Sequence, residues 1–186
     1  MPASDLECFC RVLLKWNMGT LNLIAGDNPD MLARATFATT YYALQYYDLV
    51  YVIDGGGREN DYRRTLADHG YRLPAKVVWC TPETTDDITA IADGKATCII
   101  WITGKFTHTP MKRKTGRWNC CIYPHVGNLP RGVLFNMDNI AGTGPRELTV
   151  IKSRTIERGE LGGVGHNFPV PTWDEIGGFC RPLEIR

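Results

Sequence analysis

Long apolar runs are missing from this sequence: its longest, such as 49–53 and 98–102, fall far short of the roughly 20 residues that a membrane-spanning helix needs. This excludes a spanning helix, and the acidic opening Met1-Pro2-Ala3-Ser4-Asp5-Leu6-Glu7 predicts no secretory signal. An excess of one charge is missing too. Twenty-one Lys and Arg oppose twenty Asp and Glu, so the net charge of +1 provides no global attraction to a polyanion, and any such site must come from local clustering. No C-x-x-C pair is present, and the seven cysteines are an odd number with several inside apolar runs, which fits buried thiols in a reducing intracellular compartment, cytoplasm or nucleus. A G-x-S-x-G elbow is absent, and the four histidines form no triad pattern, which argues against a hydrolase.

What remains is an ordinary globular composition, 44% apolar and 22% charged over 186 residues, enough for one domain with a proper core. Leu6, Phe9, Val12, Leu13 and Trp16 recur at three- and four-residue spacing and predict an N-terminal amphipathic helix within 1–18. The run 21–25 reads as a strand ending at Gly26. Asp27-Asn28-Pro29 then supplies capping side chains and a first-turn proline for a helix to about residue 47 that is apolar almost all round. Further strands are predicted at 49–53, 75–79 and 96–103, with helices at 61–69 and from Thr81-Pro82-Glu83 through Ala92 between them. Strands alternating with helices imply an α/β domain with a mostly parallel, twisted sheet and flanking helices. The late runs 133–137, 148–153 and 164–169 add short strands, with antiparallel strands expected near the C-terminus, and Gly142-Thr143-Gly144-Pro145 reads as a turn.

The order of three segments carries a resemblance. Gly19-Thr20-Leu21-Asn22-Leu23-Ile24-Ala25-Gly26 opens as a strand entering a turn and a helix, Val52-Ile53-Asp54 ends the next strand with an acid, and Leu148-Thr149-Val150-Ile151-Lys152-Ser153-Arg154 holds a Lys-x-Arg pair. In that order they resemble the RecA superfamily of ATPases, which includes recombinases, hexameric helicases and clock-type ATPases, and the likeness covers most of residues 19–170. It implies a single RecA-like domain over 1–186. A phosphate loop of that family requires G-x-x-x-x-G-K-S/T, whose last three positions bring the backbone close to the phosphates, neutralise their charge and ligate magnesium. Counted from Gly26, those positions hold Met31, Leu32 and Ala33, and no carboxylate ends the strand at 98–103. The expectation is a degenerate phosphate loop, no cofactor and no catalytic residue.

Residues 104–131 are rich in Pro, Gly, Lys and Arg without a sustained period and read as a long loop. Within it Lys105, Lys112, Arg113, Lys114 and Arg117 cluster, with Trp118 interleaved; cations that track phosphates beside an aromatic that stacks on bases suit single- or double-stranded DNA. The other reading is a solvated charged loop. Lys152 and Arg154, two apart on a strand, project to one face. By the resemblance such a pair reaches a phosphate held by a neighbouring subunit, a RecA-like partner or a second copy; a solvent-facing pair is the alternative. Cys120, Cys121, His108 and His125 match no metal-ligand spacing, so no metal is expected. The function expected is a non-catalytic subunit in DNA recombination, repair or replication. A nucleotide- or cofactor-using enzyme with a divergent pocket, and an assembly subunit that binds no nucleic acid, stay open as alternatives.

Overall fold

The computed structural model describes residues 3–16, 20–47, 49–54, 57–80, 97–102, 117–123, 131–144, 146–178 and 181–182. In chain order the elements are α1 (Asp5–Lys15), β1 (Leu21–Ala25), α2 (Pro29–Tyr46), β2 (Leu49–Asp54), α3 (Glu59–Asp68), β3 (Tyr71–Arg72), β4 (Val77–Cys80), β5 (Thr97–Ile102), β6 (Arg117–Tyr123), α4 (Arg131–Asn136), β7 (Asn139–Thr143), β8 (Glu147–Ser153), β9 (Asn167–Pro169), α5 (Trp173–Gly177) and β10 (Arg181–Pro182). Eight strands form one mixed sheet in the order β4-β2-β5-β6-β1-β7-β8-β9, and β3 pairs with β10 separately. Neighbours from β4 across to β7 pair in parallel, whereas β8 runs antiparallel to both β7 and β9.

The two faces of the sheet bury different sets. On one, Ile24, Val50, Val52, Cys120, Ile122, Leu148 and Val150 meet α1 and α2 together with Tyr62 and Leu66 of α3 and Ile176 of α5. On the other, Leu23, Ala25, Tyr51, Ile53, Cys121 and Tyr123 pack with Met137 and Ile140. Alternate residues of each strand go to opposite faces because the strand period is two. All five residues of β1 are buried, as a central strand covered on both faces requires. No helix among the described residues is long and apolar enough to cross a membrane.

Three expectations are corrected. Residues 117–123, read as part of a loop over 104–131, form β6 in the middle of the sheet, hydrogen-bonded to β5 and β1. Their aromatic and apolar content outweighs the basic residues before them, because a central strand position rewards burial rather than local charge. Residues 131–136 form the short helix α4 rather than a strand at 133–137. The strand follows it as β7, which includes Gly142 and Thr143 of the expected turn; pairing with β1 on one side and β8 on the other supplies the backbone hydrogen bonds that local glycine content argues against. The helix expected from Thr81 to Ala92 lies outside the described residues.

Burial has a consequence for pH dependence. Cys121, fully buried in β6, has its thiol pushed up from the usual 9.0 to about 12 by loss of hydration. The folded chain therefore holds this proton through a range in which the unfolded chain releases it, so stability is full below pH 9 and falls as pH rises from about 9 towards 12. Urea denaturation at pH 8 and at pH 10.5 should show that fall, and Cys121→Val should reduce it.

Candidate functional site at the carboxyl edge of the sheet

The parallel strands β4, β2, β5, β6, β1 and β7 share one carboxyl edge, where ligands of open α/β sheets usually bind. At its centre β1 passes through only Gly26, Asp27 and Asn28 before α2 begins at Pro29. The Gly26 N–H donates to the Tyr123 carbonyl at 3.0 Å, so the turn is tied to β6 rather than left as an open cradle. The Asn28 side chain caps α2 by accepting from the Met31 N–H at 3.2 Å, and Pro29 has no N–H to offer. The negative charge favoured at a helix start is supplied internally by Asp30. Its carboxylate accepts from Arg34 at 2.9 Å and from the Trp173 indole at 2.9 Å, and the Trp173 ring is stacked on His69 with centroids 4.3 Å apart.

Met31, Leu32 and Ala33, where the resemblance predicts a degenerate phosphate loop, lie inside the first turns of α2 and are buried. Beside them a cavity of about 160 Å³ is lined by Pro29, Leu32, Arg58, Asp61, Tyr62 and Thr65, among others. Burial pushes the Tyr62 phenol above its usual 10.0, and contacts with Thr36 and Arg58 partly oppose this. Asp54, at the tip of β2, is buried and accepts from the Trp79 indole at 3.2 Å. Sequence reasoning named Gly26, Asp54 and the cap of α2, and missed Trp173 and His69. Their arrival depends on the C-terminal segment folding back over α2, for which no local pattern gives a signal.

Lys152 and Arg154 are brought together, but at the opposite, amino edge, because β8 is antiparallel and Ser153 pairs with Asn139 at the start of β7. Both donate to one acceptor, the Phe135 carbonyl at the end of α4: Lys152 at 3.1 Å, and Arg154 through a guanidinium that also lies over the Phe135 ring and 3.6 Å from Asp138. Cations at a helix C-terminus satisfy carbonyls that have no intrahelical partner. Close by, buried Thr20, Asn22 and Asn139 form a polar chain with half-buried Ser153, Asn139 donating to Asn22 at 2.8 Å and Ser153 donating to Asn139 at 2.6 Å.

Of the basic cluster, Lys105, Lys112, Arg113 and Lys114 lie outside the described residues, as do His108 and His125. Arg117 and Trp118 open β6. Cys120 and Cys121 face opposite sides of the sheet, so they cannot converge on one ion, and among the described residues no group of three or more His, Cys, Asp or Glu could hold a metal. No family model matches the chain, and no curated protein does either.

Proposed function

We propose that this chain is a RecA-type core without nucleotide hydrolysis, acting as a DNA-binding subunit alongside a RecA-like partner or further copies of itself in recombination, repair or replication. The observation that carries this reading is the closed start of α2. The place where a RecA-type ATPase would cradle phosphate has a three-residue turn, a capped and proline-blocked helix end, and Asp30 held by Trp173 and Arg34. A central first strand leading into α2, and an antiparallel strand β8 that carries Lys152 and is followed directly by Arg154, support the RecA-type arrangement. Because that pair sits at the amino edge, a phosphate it reached would be one held by another subunit. The cavity beside α2, at about 160 Å³, is smaller than the roughly 300 Å³ from which ligand pockets run.

The DNA arm rests on Lys105, Lys112, Arg113 and Lys114, between β5 and β6 in the sequence, and on Arg117 and Trp118, which open β6 at the amino edge of the sheet. Titration with labelled ATP and with single- and double-stranded DNA at two salt concentrations tests both arms. We expect no ATP binding, and DNA binding that weakens with salt. Changing Lys112, Arg113 and Lys114 to alanine should flatten the slope of log affinity against log salt by roughly two to three units, because each phosphate contact contributes about −0.9 on duplex and about −0.7 on single strands. An unchanged slope removes the segment as the DNA site. Magnesium-dependent ATP turnover lost on altering Asp54 would favour the enzyme alternative.

A further inference from the structure

Six large apolar side chains are well exposed among the described residues, and two of them, Leu14 at 52% and Tyr46 at 51%, flank one groove. Scattered singly, such residues need no explanation, but these two face each other across one groove. The groove, about 330 Å³, runs between α1 and α2, with Leu6, Cys10 and Leu14 on one wall and Tyr41, Gln45 and Tyr46 on the other. Leu6, Cys10 and Leu14 recur every four residues and so line one face of α1. That face adjoins the stripe of Phe9, Val12, Leu13 and Trp16, which the chain's own core covers completely. Leu6 and Cys10 are half-buried against that same core, and Leu14 with Tyr46 across the groove leaves apolar surface open to another molecule.

The rim of the groove indicates which molecule. Glu7 and Arg11 stand on α1 at the i, i+4 spacing at which this chain closes Asp30–Arg34 and Glu59–Arg63, each at 2.9 Å. Among the described residues Glu7 and Arg11 form no such pair, so both charges are available to an incoming surface. That surface must offer a base and an acid in reversed order along a helix beside an apolar stripe, and antiparallel α1 itself does so. With a two-fold axis at Cys10, Leu6 of each copy meets Leu14 of the other. Glu7 and Arg11 of opposite copies then come within about 3 Å of register along the axis, inside side-chain reach. A net charge of +1 per chain imposes little repulsion between copies.

We infer that the groove between α1 and α2 is a self-association surface that takes α1 of a second copy, antiparallel, across a two-fold axis. This goes beyond the DNA reading and does not depend on it. Sedimentation equilibrium of the full chain should show a reversible, concentration-dependent dimer. Leu14→Glu should weaken it on the order of tenfold or more, as loss of a central apolar anchor does. Leu14 is half exposed, so the variant should keep the parent's circular dichroism and Tm. Glu7→Arg alone and Arg11→Glu alone should each weaken the dimer, and the two together should restore it. A chain that stays monomeric at every concentration leaves the groove to a helix of another protein and overturns the inference. A dimer indifferent to Leu14→Glu, or a charge swap that fails to restore association, overturns it as well.

Discussion

The combined change Leu32→Lys and Ala33→Ser, which introduces the cation and hydroxyl that a phosphate loop carries, is expected to destabilise the chain by about 3 kcal/mol and to create no ATP binding. Both residues are buried in α2, at 3% and 6% exposure, so an ammonium at position 32 must give up most of its hydration, and in the cavity that Leu32 lines it meets Arg58 as well as Asp61. Phosphate affinity needs more than those two groups. Three backbone positions of the turn cannot donate to a phosphate, because Gly26 N–H is taken by Tyr123, Met31 N–H by Asn28, and Pro29 has none. Guanidinium denaturation measures the first part of the expectation, and isothermal titration with magnesium ATP the second. Tight ATP binding by the double variant would mean that the turn opens readily, and the closed start of α2 would no longer support a non-hydrolytic subunit.

This closed turn shows how far local pattern carries and where it stops. Asn28 and Pro29 announce the cap of α2 in the sequence because capping is a local transaction between a side chain and the next three N–H groups. Strands β1, β2, β4 and β5 were legible for a similar reason: each is a short apolar run with helical or turn signals on either side. Strand β6 was missed although Gly116 and Pro124 bound a run containing Trp118, Cys120, Cys121, Ile122 and Tyr123, which is a strand signal by the same rule. The basic cluster beside it drew the whole region into one loop. The apolar run at 133–137 is a different case, since short apolar segments have no period long enough to separate a six-residue helix from a strand. The pairing of Trp173 with Asp30 spans 143 residues, and the convergence of Lys152 and Arg154 on Phe135 depends on the hairpin of β7 and β8. Neither is written in any local window.

Replacing Trp16 with alanine is expected to have the largest effect of any single substitution, about 3–5 kcal/mol, with α1 released from the sheet. Trp16 ends α1, is fully buried, and holds the N-terminal helix to the last part of the chain in two ways. Its indole N–H donates to the Gly162 carbonyl at 3.0 Å, and its ring meets Phe168 of β9 edge-on at 6.2 Å, while Phe9 meets the same ring at 5.8 Å. Gly162 takes a φ of +84°, a left-handed conformation that glycine adopts without strain. Alanine at position 16 removes the ring contact, opens a cavity under α1 and leaves the Gly162 carbonyl without its donor. Trp16→Phe keeps most of the packing and loses only the hydrogen bond and some volume, so it should cost about 1–2 kcal/mol. Because a domain of this size has only about 5–15 kcal/mol of stability in total, the alanine variant should unfold at a much lower denaturant midpoint and expose α1 to protease first. Equal midpoints for Trp16→Ala and the parent would show that α1 is not anchored to β9, and the groove it forms with α2 would then lose its rigid wall.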